Sequence, residues 1–464
     1  MRIEEINSRN VSETYNIKMG LVKDLFKGDK VIWIIFLFLC LISIIEVFSA
    51  ASTLTYKSGD HWAPIRQHAT YLMVGFVIVV LVHKIPSKWF RAAPFFLLPI
   101  SCILLLFVMA MGATVNGASR WTSIFGIQFQ PSEIAKMAII IVTAFILSRC
   151  QDDYGANKKA FKYIMCCAGV VLLLIAPENA STATLLFGVV FLMMLIGRVP
   201  WSQLLKLVGI LGVGIALFIG MILITPTQKY SQLPMMHRVE TWQNRIKGFL
   251  DDKGTIPPEK YDIDKDAQVA HANIAIASSN IIGKMPGNSV QRDFLSQAFS
   301  DFIFAIIIEE LGLLGGVFVV LLYLWLLIRA GRVARKCERS FSAFLVMGIA
   351  LLLVCQAMMN MMVAVGLFPV TGQPLPLISK GGTSTLINCT YIGMILSVSR
   401  EVNERQAEEE AALLEEEEKQ KKAKALLNMA IDMANQPHDE DMLVAGDTFN
   451  KNSSIYETAE DKKN

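Results

Sequence analysis

The chain has 464 residues, of which 53% are apolar and 18% charged, and its formal net charge is +3. A soluble protein of this length would form roughly two or three domains. Here, however, apolar runs of about 20 residues recur, the length that a hydrocarbon core of ~30 Å requires of a helix. The runs are continuously apolar rather than alternating, which excludes a transmembrane β-barrel. The composition therefore indicates a helical membrane protein, and we expect no nucleic-acid partner.

Ten apolar runs predict an all-α, polytopic bundle of ten transmembrane helices. In chain order they cover residues 31–51, 69–85, 92–112, 132–148, 163–177, 182–197, 204–225, 302–328, 341–367 and 383–399. We expect a cytoplasmic N-terminal segment over 1–30, a membrane domain over 31–399 and a cytoplasmic tail over 400–464. A large loop over 226–300 separates the seventh and eighth spans. The tail is predicted to begin as a polar helix and to be disordered beyond Gln436.

Basic residues in the short loops predict the orientation of the bundle. The loops after the second, fourth, sixth and eighth spans hold most of them: Lys84, Lys88, Arg91, Arg149, Lys158, Lys159, Lys162, Arg198, Lys206, Arg329, Arg332, Arg335, Lys336 and Arg339. The short loops of the opposite face hold far fewer. Both termini are therefore predicted to be cytoplasmic, and the 226–300 loop extracytoplasmic. The eight cysteines lie outside the predicted exported loops, so we expect no disulfide framework.

A first polar cluster precedes and opens the fourth span. It contains Arg120 and the segment 130–136, which reads Gln-Pro-Ser-Glu-Ile-Ala-Lys. Pro131 suits the first turn of a helix, and Glu133 and Lys136, three residues apart, share one helical face. Lys136 lies one turn into the predicted span, so it needs either an anionic partner or an anionic substrate.

A second cluster lies in the long loop before the eighth span. It contains Arg245 and the glycine-containing segment 283–293, with Arg292 and Asp293. A loop of this length without a core of its own is typical of a lid or a binding loop. Asp293 and Asp301 lie eight residues apart. Either both face one cavity, or Asp293 is simply exposed.

A third cluster forms the loop between the last two spans, from Pro369 to Ser384, and includes Ser379, Gly381 and Gly382. The segment is rich in proline and glycine and yet apolar. Such backbone suits a re-entrant stretch that is buried against protein or lines a wet cavity. A tight connecting loop is the alternative.

Three carboxylates, Asp301, Glu309 and Glu310, stand at or near the start of the eighth span. A carboxylate in hydrocarbon costs roughly 2.5–3.5 kcal/mol on insertion scales, so an apolar segment keeps one for ion handling, substrate handling or a buried partner. Asp301 is predicted at the exported mouth of the span. Glu309 and Glu310 lie deeper, where we expect them to pair within the bundle or to shape a cavity.

Over roughly residues 30–400 the chain resembles the SEDS family (FtsW, RodA and SpoVE), the peptidoglycan glycosyltransferases of bacterial elongation, division and sporulation. The resemblance rests on five blocks: Asn116-Gly117-Ala118 with Arg120-Trp121, Phe129 to Glu133 with Lys136, Gly287 to Gln291, Asp301 to Phe304 with Glu309 to Gly312, and Pro374 to Pro376 continuing to Gly382. Three blocks depart from the family pattern, and one of them is the usual QPDLGT after the fifth span, which is Pro177 to Thr182 here. The usual His-Thr before the aspartate is Phe299-Ser300, and the usual Tyr of the SYGG block is Lys380.

The resemblance implies that the chain polymerises lipid II into glycan strands at the outer face of the bacterial cytoplasmic membrane, with a polyprenyl-linked glycan strand as donor. It implies Asp301 as the catalytic residue and general base, with Lys136 in the same cavity. The implied substrate-binding residues are Arg120, Glu133, Arg245, Arg292, Asp293, Ser379, Gly381 and Gly382, while Glu309 and Glu310 shape the cavity. A divalent cation, Mg²⁺ or Mn²⁺, with Asp301 as its ligand, is implied by the family alone.

The resemblance also implies partners. These are a class B penicillin-binding protein acting as transpeptidase, proteins of the divisome or elongasome, and membrane lipid. Residues 49–52 at the end of the first span and 244–251 in the large loop favour an FtsW-like over a RodA-like protein, and hence a location at the division septum.

Other functions remain open at this point. A lipid II flippase would use the same cavity and the same intramembrane carboxylates, but it predicts inverted repeats and discontinuous helices, and no clear repeat is found. A scaffold that only recruits the transpeptidase is a second alternative, and a RodA-like elongation polymerase is a third. Neither a Walker loop nor an HExxH motif occurs, which argues against an ATP-driven pump or a zinc protease.

Overall fold

The computed structural model describes residues 25–50, 62–111, 113–115, 118–124, 127–153, 155–224, 267–295 and 298–434. Its helices, in chain order, are α1 (Lys30–Ala50), α2 (Ala63–Lys84), α3 (Ser87–Phe90), α4 (Pro94–Met111), α5 (Pro131–Arg149), α6 (Lys158–Ile175), α7 (Ala180–Ile196), α8 (Trp201–Ile224), α9 (Ala267–Ser278), α10 (Ile303–Lys336), α11 (Ser340–Ala364) and α12 (Thr383–Ala434). A 3₁₀ turn covers Gln291–Asp293.

Each predicted span falls on one of these helices, but several ends differ. The second helix begins at Ala63, whereas the predicted span begins at residue 69. Pro64 favours a helix start at this point, and the polar residues that follow it belong to the helix but not to the apolar run. The eighth continues to Lys336, well past its apolar stretch. Five of the described helices, α1, α2, α5, α10 and α11, are long and apolar enough to cross a membrane. The protein is therefore a polytopic membrane protein.

The described part of the chain is mostly helical, as predicted, and it also contains two small sheets. Strands β1 (Ala113–Val115), β2 (Ala118–Ile124) and β3 (Ile127–Phe129) form an antiparallel sheet just before α5. Strands β4 (Gln151–Asp152) and β5 (Gly155–Ala156) form a hairpin between α5 and α6. The sequence between β1 and β2 is Asn116-Gly117, the strongest short signal of a hairpin. We interpreted it only as part of a motif.

The centre of the bundle is formed by α5 and α11, because most residues of their apolar stretches are buried. Helices α2 and α10 bury a much smaller share of their apolar stretches. Buried polar side chains accompany the apolar ones on both central helices: Lys136 on α5, and Gln356 and Asn360 on α11. A buried polar group is costly unless it is hydrogen-bonded. The positions of these side chains therefore indicate where the bundle holds its internal polar network.

Helix α10 is broken at Gly312, whose backbone angles (φ 72°, ψ −176°) are not helical. A break leaves backbone groups without helical partners, and hydrocarbon offers none. The segment after α9 supplies partners: Lys284 N donates to Glu309 O at 3.0 Å, and Met285 N donates to Glu310 O at 2.8 Å. The helix is discontinuous, and a protein segment closes the discontinuity.

The same segment also satisfies the other side of the break. Two amides beyond it donate to this segment, in the pairs Leu313 N–Asn280 O and Leu314 N–Ile281 O, both at 3.3 Å. Such close packing of two backbones requires glycine. Gly283 and Gly312 both have positive φ. A Cβ on Gly283 would overlap backbone atoms of α10, and a Cβ on Gly312 would overlap backbone atoms of the segment after α9.

Loops that the sequence predicts to be cytoplasmic contact one another. Arg329 Nε of α10 donates to Asp29 Oδ2 at 3.1 Å, just before α1. Ser87 N donates to Glu401 Oε1 of α12 at 2.6 Å. The β4–β5 hairpin bonds to the α7–α8 connection. These loops therefore lie at the same end of the bundle. Residues 405–464 form a separate unit, in which α12 runs to Ala434 and the side chains of 406–431 are exposed.

Gly312→Ala should destabilise the protein, because the new Cβ would overlap the Ile281 carbonyl oxygen and because a positive φ alone costs roughly 1–3 kcal/mol for a residue other than glycine. The measurement is the melting temperature of the purified protein in detergent. Gly331→Ala, in the same helix, is the matched control, since the nearest atom to its Cβ is Met347 Sδ at 3.9 Å. Equal melting temperatures for the two variants would contradict the requirement for glycine at the break.

Candidate functional site

Asp301 lies immediately before α10, between the buried side chains of Ala298 and Phe302. It is half-buried. Ser300 Oγ donates to Asp301 Oδ1 at 3.0 Å, and the backbone carbonyl of Asp301 accepts a hydrogen bond from Asn360 Nδ2 at 2.9 Å. Backbone contacts made by another helix therefore fix the position of this carboxylate, while the carboxylate itself accepts from a neighbouring hydroxyl.

The loop between α11 and α12 folds back against the same segment. Ser379 Oγ donates to Ser300 O at 2.6 Å and accepts a hydrogen bond from Leu375 N at 2.8 Å. Lys380 N donates to Phe299 O at 3.0 Å. Most side chains from Thr371 to Ser379 are buried, as a re-entrant stretch against protein requires. The loop thus holds the backbone on the N-terminal side of Asp301.

Two amide side chains on α11, Gln356 and Asn360, connect these parts. They lie four residues apart and share one face of the helix. Asn360 Nδ2 also donates to Gln373 O at 2.8 Å, and Gln356 Nε2 donates to Pro374 O at 3.0 Å. Lys136 Nζ of α5 donates to Gln356 Oε1 at 2.9 Å. Through one helix face, Lys136, the re-entrant loop and the backbone of Asp301 belong to one network.

Lys136 is fully buried and has an anionic partner. Its Nζ lies 2.8 Å from Glu133 Oε1, one turn away on α5. Of the two possibilities that the sequence leaves open, an anionic partner or an anionic substrate, the structure shows the first. The second carboxylate oxygen, Glu133 Oε2, has no hydrogen-bond partner within the described part of the chain. Asn360 Oδ1 likewise has no hydrogen-bond partner among the described residues.

Lys380 is the cation that backbone contacts bring next to the Asp301 segment. Its side chain is half-buried, and its Nζ lies 5.8 Å from the centre of the Phe299 ring. Burial lowers the pKa of Lys380 below the ordinary lysine value. The sequence indicates Lys380 only as a departure from the family pattern, where tyrosine is usual, and its position beside the site was not predicted.

Glu309 and Glu310 organise the segment before α10 rather than the Asp301 region. Glu309 pairs with Lys284 at 2.7 Å and accepts hydrogen bonds from the Val290 and Gln291 amides. Glu310 accepts from the amide of Gly287 at 3.0 Å. Its other contacts are to Ser49 Oγ, Ser289 N and Arg292 Nη1. Both carboxylates therefore serve as anchors for residues 284–292.

The remaining predicted residues are less closely connected to Asp301. Arg292 donates to Ser49 Oγ at 2.9 Å and faces Glu310 at 3.9 Å, and Asp293 is exposed. Gly381 and Gly382 form the turn into α12, where their carbonyls accept from the Ser384 and Thr385 amides. Arg120 lies in β2 with its side chain outside the described part. Arg245 lies outside the described residues altogether.

Sequence reasoning missed Gln356 and Asn360, which hold the network together. A signal was present, because two amides four residues apart on an otherwise apolar span form a polar stripe on one helix face. Gln373 was also missed as a connector, although it lies within the third cluster. Its Nε2 donates to Thr182 Oγ1 of α7 at 2.7 Å, which brings a further helix into the network.

Comparisons with known proteins agree with one another. The family model for FtsW, RodA and SpoVE, described as "Cell cycle protein", matches residues 29–404. A protein of Halomonas elongata named "Probable peptidoglycan glycosyltransferase FtsW" is 33% identical over 380 residues, which cover 80% of this chain and 90% of that protein. A protein of the same name from Coxiella burnetii is 30% identical over 380 residues, covering 80% of this chain and 96% of its own.

Two solved structures are similar in fold. One, from "Structural coordination of polymerization and crosslinking by a peptidoglycan synthase complex", has a TM-score of 0.65 at 22% identity and covers 81% of this chain and 99% of its own. The other, the rod shape determining protein RodA of Thermus thermophilus, has a TM-score of 0.55 at 21% identity and covers 81% of this chain and 97% of its own.

Lys136→Met should lower the stability of the protein by about 3–5 kcal/mol, because it leaves Glu133 buried without a counter-charge. The double variant Glu133→Gln/Lys136→Met removes both charges and should recover most of that loss. The melting temperatures of the three purified proteins measure the difference. If the double variant were as unstable as the single one, the ion pair would not be what Lys136 contributes to the bundle.

Proposed function

This chain belongs to the FtsW/RodA/SpoVE family of cell cycle proteins, and on that premise we propose that it is a peptidoglycan glycosyltransferase that polymerises lipid II. Its relatives carry the name FtsW, which confirms the FtsW-like membership predicted from the sequence and supports a role in septal synthesis. The observation that carries the proposal is the placement of Asp301. Its backbone is fixed by Asn360 and by the loop around Ser379, within the part of the chain that the family model covers.

Asp301 acts as the general base of the transfer. The 4-hydroxyl of the lipid II sugar gives its proton to the Asp301 carboxylate while its oxygen forms a bond to the anomeric carbon of the growing strand. The bond from that carbon to the polyprenyl pyrophosphate breaks, and the pyrophosphate leaves with the electron pair. A general base must be held within hydrogen-bond reach of the hydroxyl, and the backbone contacts of Asp301 supply that positioning.

The leaving pyrophosphate needs positive charge. Lys380 is suited to this task, because it is bonded through its backbone to Phe299, two residues before Asp301, and has no ion-pair partner among the described residues. Lys136 is occupied by Glu133 and Gln356, so we assign it the positioning of α11 rather than contact with phosphate. Arg120, Arg245 and Arg292 remain proposed as further cations, and Glu133, Asp293, Ser379, Gly381 and Gly382 as residues around the substrates.

A divalent cation, Mg²⁺ or Mn²⁺, is also part of the proposal. The described residues contain no group of three His, Cys, Asp or Glu side chains that would form a protein cage for a metal. Mg²⁺ does not need one, since it commonly binds one or two carboxylates together with substrate phosphates and water. Asp301 would hold it, with the amide oxygen of Asn360, which has no hydrogen-bond partner among the described residues, as a second oxygen donor. When bound, the cation neutralises charge on the leaving phosphate.

The membrane arrangement belongs to the same proposal. In this arrangement ten spans over 31–399 cross the bacterial inner membrane, and both termini, with the tail from residue 400, lie in the cytoplasm. The site lies at the outer face of the septal membrane. The isoprenoid tails of both substrates then lie against the helices. A class B penicillin-binding protein is the proposed partner. The similar solved chain whose title names a peptidoglycan synthase complex supports that partner in general terms.

A lipid II flippase is the second candidate, and the break in α10 is the observation that favours it. Transporters use the free backbone groups of broken helices to bind substrate near the middle of the membrane. In this chain those groups are bonded to residues 280–285 instead. A break closed in this way stabilises the fold and positions the start of α10, which suits an enzyme better than a transport site.

Asp301→Asn should lower glycan polymerisation by roughly 100- to 10,000-fold, because the amide cannot accept the hydroxyl proton. The assay follows strand length from purified lipid II on gels, with the transpeptidase partner and a divalent cation present. Binding of lipid II should stay close to that of the unaltered protein. Asp153→Asn, the same chemical change at an exposed position in the β4–β5 turn, is the control and should retain full activity. Full polymerisation by Asp301→Asn, with loss of lipid II translocation in vesicles, would favour the flippase.

Lys380→Arg should move the alkaline limb of the pH–activity profile to higher pH. Burial lowers the pKa of Lys380, so its charge is lost at a lower pH than that of an ordinary lysine, whereas arginine stays charged. Lys380→Met should reduce activity roughly 100-fold at pH values where the lysine is charged, and the difference should shrink as the lysine loses its proton. Superimposable profiles for lysine and arginine would contradict the assignment.

A further inference from the structure

A cavity of about 690 Å³ lies at the Lys/Arg-rich end of the bundle, and its lining includes none of the proposed catalytic or substrate-binding residues. It is formed where the β4–β5 hairpin meets the connection between α7 and α8. Ala156 N donates to Gly197 O at 3.1 Å and holds the two together. Gly155 (φ 134°) permits this approach, because a Cβ there would lie 2.7 Å from the Arg198 side chain.

Two cations line the cavity, Lys158 at the start of α6 and Arg198 before α8. Both side chains are exposed, and neither has an ion-pair partner within the residues that the structure describes. Asp152 is the acidic residue of the lining. Lys159 follows Lys158 and adds to the positive charge on this side of the protein. Two basic side chains and one acidic side chain line the cavity, so its lining has an excess of one positive charge.

Arg198 is also held in a strained conformation. Its φ is +55°, in the left-handed region that side chains other than those of Gly, Asn and Asp rarely adopt. A glycine would fit this tight turn at lower energetic cost, as it does in most turns of this kind. Strain of this sort persists where a side chain is needed at that place. The backbone geometry and the exposed charge thus point to the same residue.

The wall of the cavity is apolar on the side of the helices. Trp201, at the first position of α8, is 65% exposed, and Leu195 of α7 is exposed beside it in the lining. Tryptophan is typical of the level where lipid headgroups meet hydrocarbon. A ligand of this cavity would therefore present an anionic group to Lys158 and Arg198 and an apolar part to Trp201.

We propose that this cavity binds the phosphate headgroup of an anionic phospholipid from the leaflet at the Lys/Arg-rich face. Basic pockets between transmembrane helices recognise such headgroups by charge, and the acyl chains lie along the neighbouring helices. A free phosphate would use the two cations but not the apolar wall. The site does not depend on the chemistry at Asp301, so its occupancy and the glycosyltransferase activity are separable.

The test is native mass spectrometry of the full chain in detergent, titrated with phosphatidylglycerol. The variant Lys158→Ala/Arg198→Gly removes both charges, and the glycine relieves the backbone strain, so the protein should melt at the same temperature or higher. Binding should weaken about 30-fold, since each basic side chain contributes roughly 1 kcal/mol near anionic lipid and 1.4 kcal/mol corresponds to tenfold. Asp152→Asn should strengthen binding.

The matched control is Lys88→Ala/Arg91→Ala, which removes one exposed lysine and one exposed arginine from a neighbouring loop of the same predicted face. It should bind phosphatidylglycerol as the unaltered protein does. Phosphatidylcholine should bind much more weakly than phosphatidylglycerol, and inorganic phosphate should not displace the lipid. Equal loss in the control, equal binding of the two lipids, or displacement by inorganic phosphate would each overturn the proposal.

Discussion

Backbone N–H and C=O groups in the apolar bundle need hydrogen-bond partners within the protein, because hydrocarbon supplies none. Much of this structure follows from that constraint. Where α10 breaks at Gly312, the amides of Lys284 and Met285 bond to the carbonyls that the break leaves without partners. Where the loop before α12 turns back into the bundle, Gln356 and Asn360 bond to its carbonyls. Irregular backbone and buried amide side chains therefore occur together, each requiring the other.

The same constraint positions the proposed catalytic residue. Asp301 belongs to a segment that is neither helix nor strand, so its backbone must bond outside regular structure. Asn360 bonds to its carbonyl, and Ser379 bonds to the carbonyl of Ser300 just before it. Because Gln356 lies on the same face of α11 as Asn360 and accepts from Lys136, the ion pair on α5 supports the orientation of that face. The buried charges can thus matter to catalysis without touching a substrate.

The apolar helices, and the pair formed by Glu133 and Lys136, were predictable from the sequence because both depend on local spacing. The spacing is apolar length in one case and one helical turn in the other. The contact between Lys136 and Gln356 was not, because it joins residues 220 positions apart and a helix periodicity does not say which helix a face meets. The break at Gly312 was hidden for a similar reason. Gly312 lies within a segment that the sequence predicts as one continuous span, and the residues that close the break come from another part of the chain.

The three carboxylates near the start of α10 differ in what their oxygens already do. Glu309 accepts two backbone amides and pairs with Lys284, and Glu310 accepts two amides and faces Arg292. A general base takes up a proton during the reaction. Protonation of Glu309 or Glu310 would weaken several of the hydrogen bonds that the carboxylate accepts, and residues 284–292 would become less firmly held. Asp301 is half-buried, its carboxylate accepts the Ser300 hydroxyl, and its backbone carbonyl accepts a hydrogen bond from Asn360. Protonation of its side chain leaves the contact between its carbonyl and Asn360 intact, so that contact can hold the residue in place in both charge states.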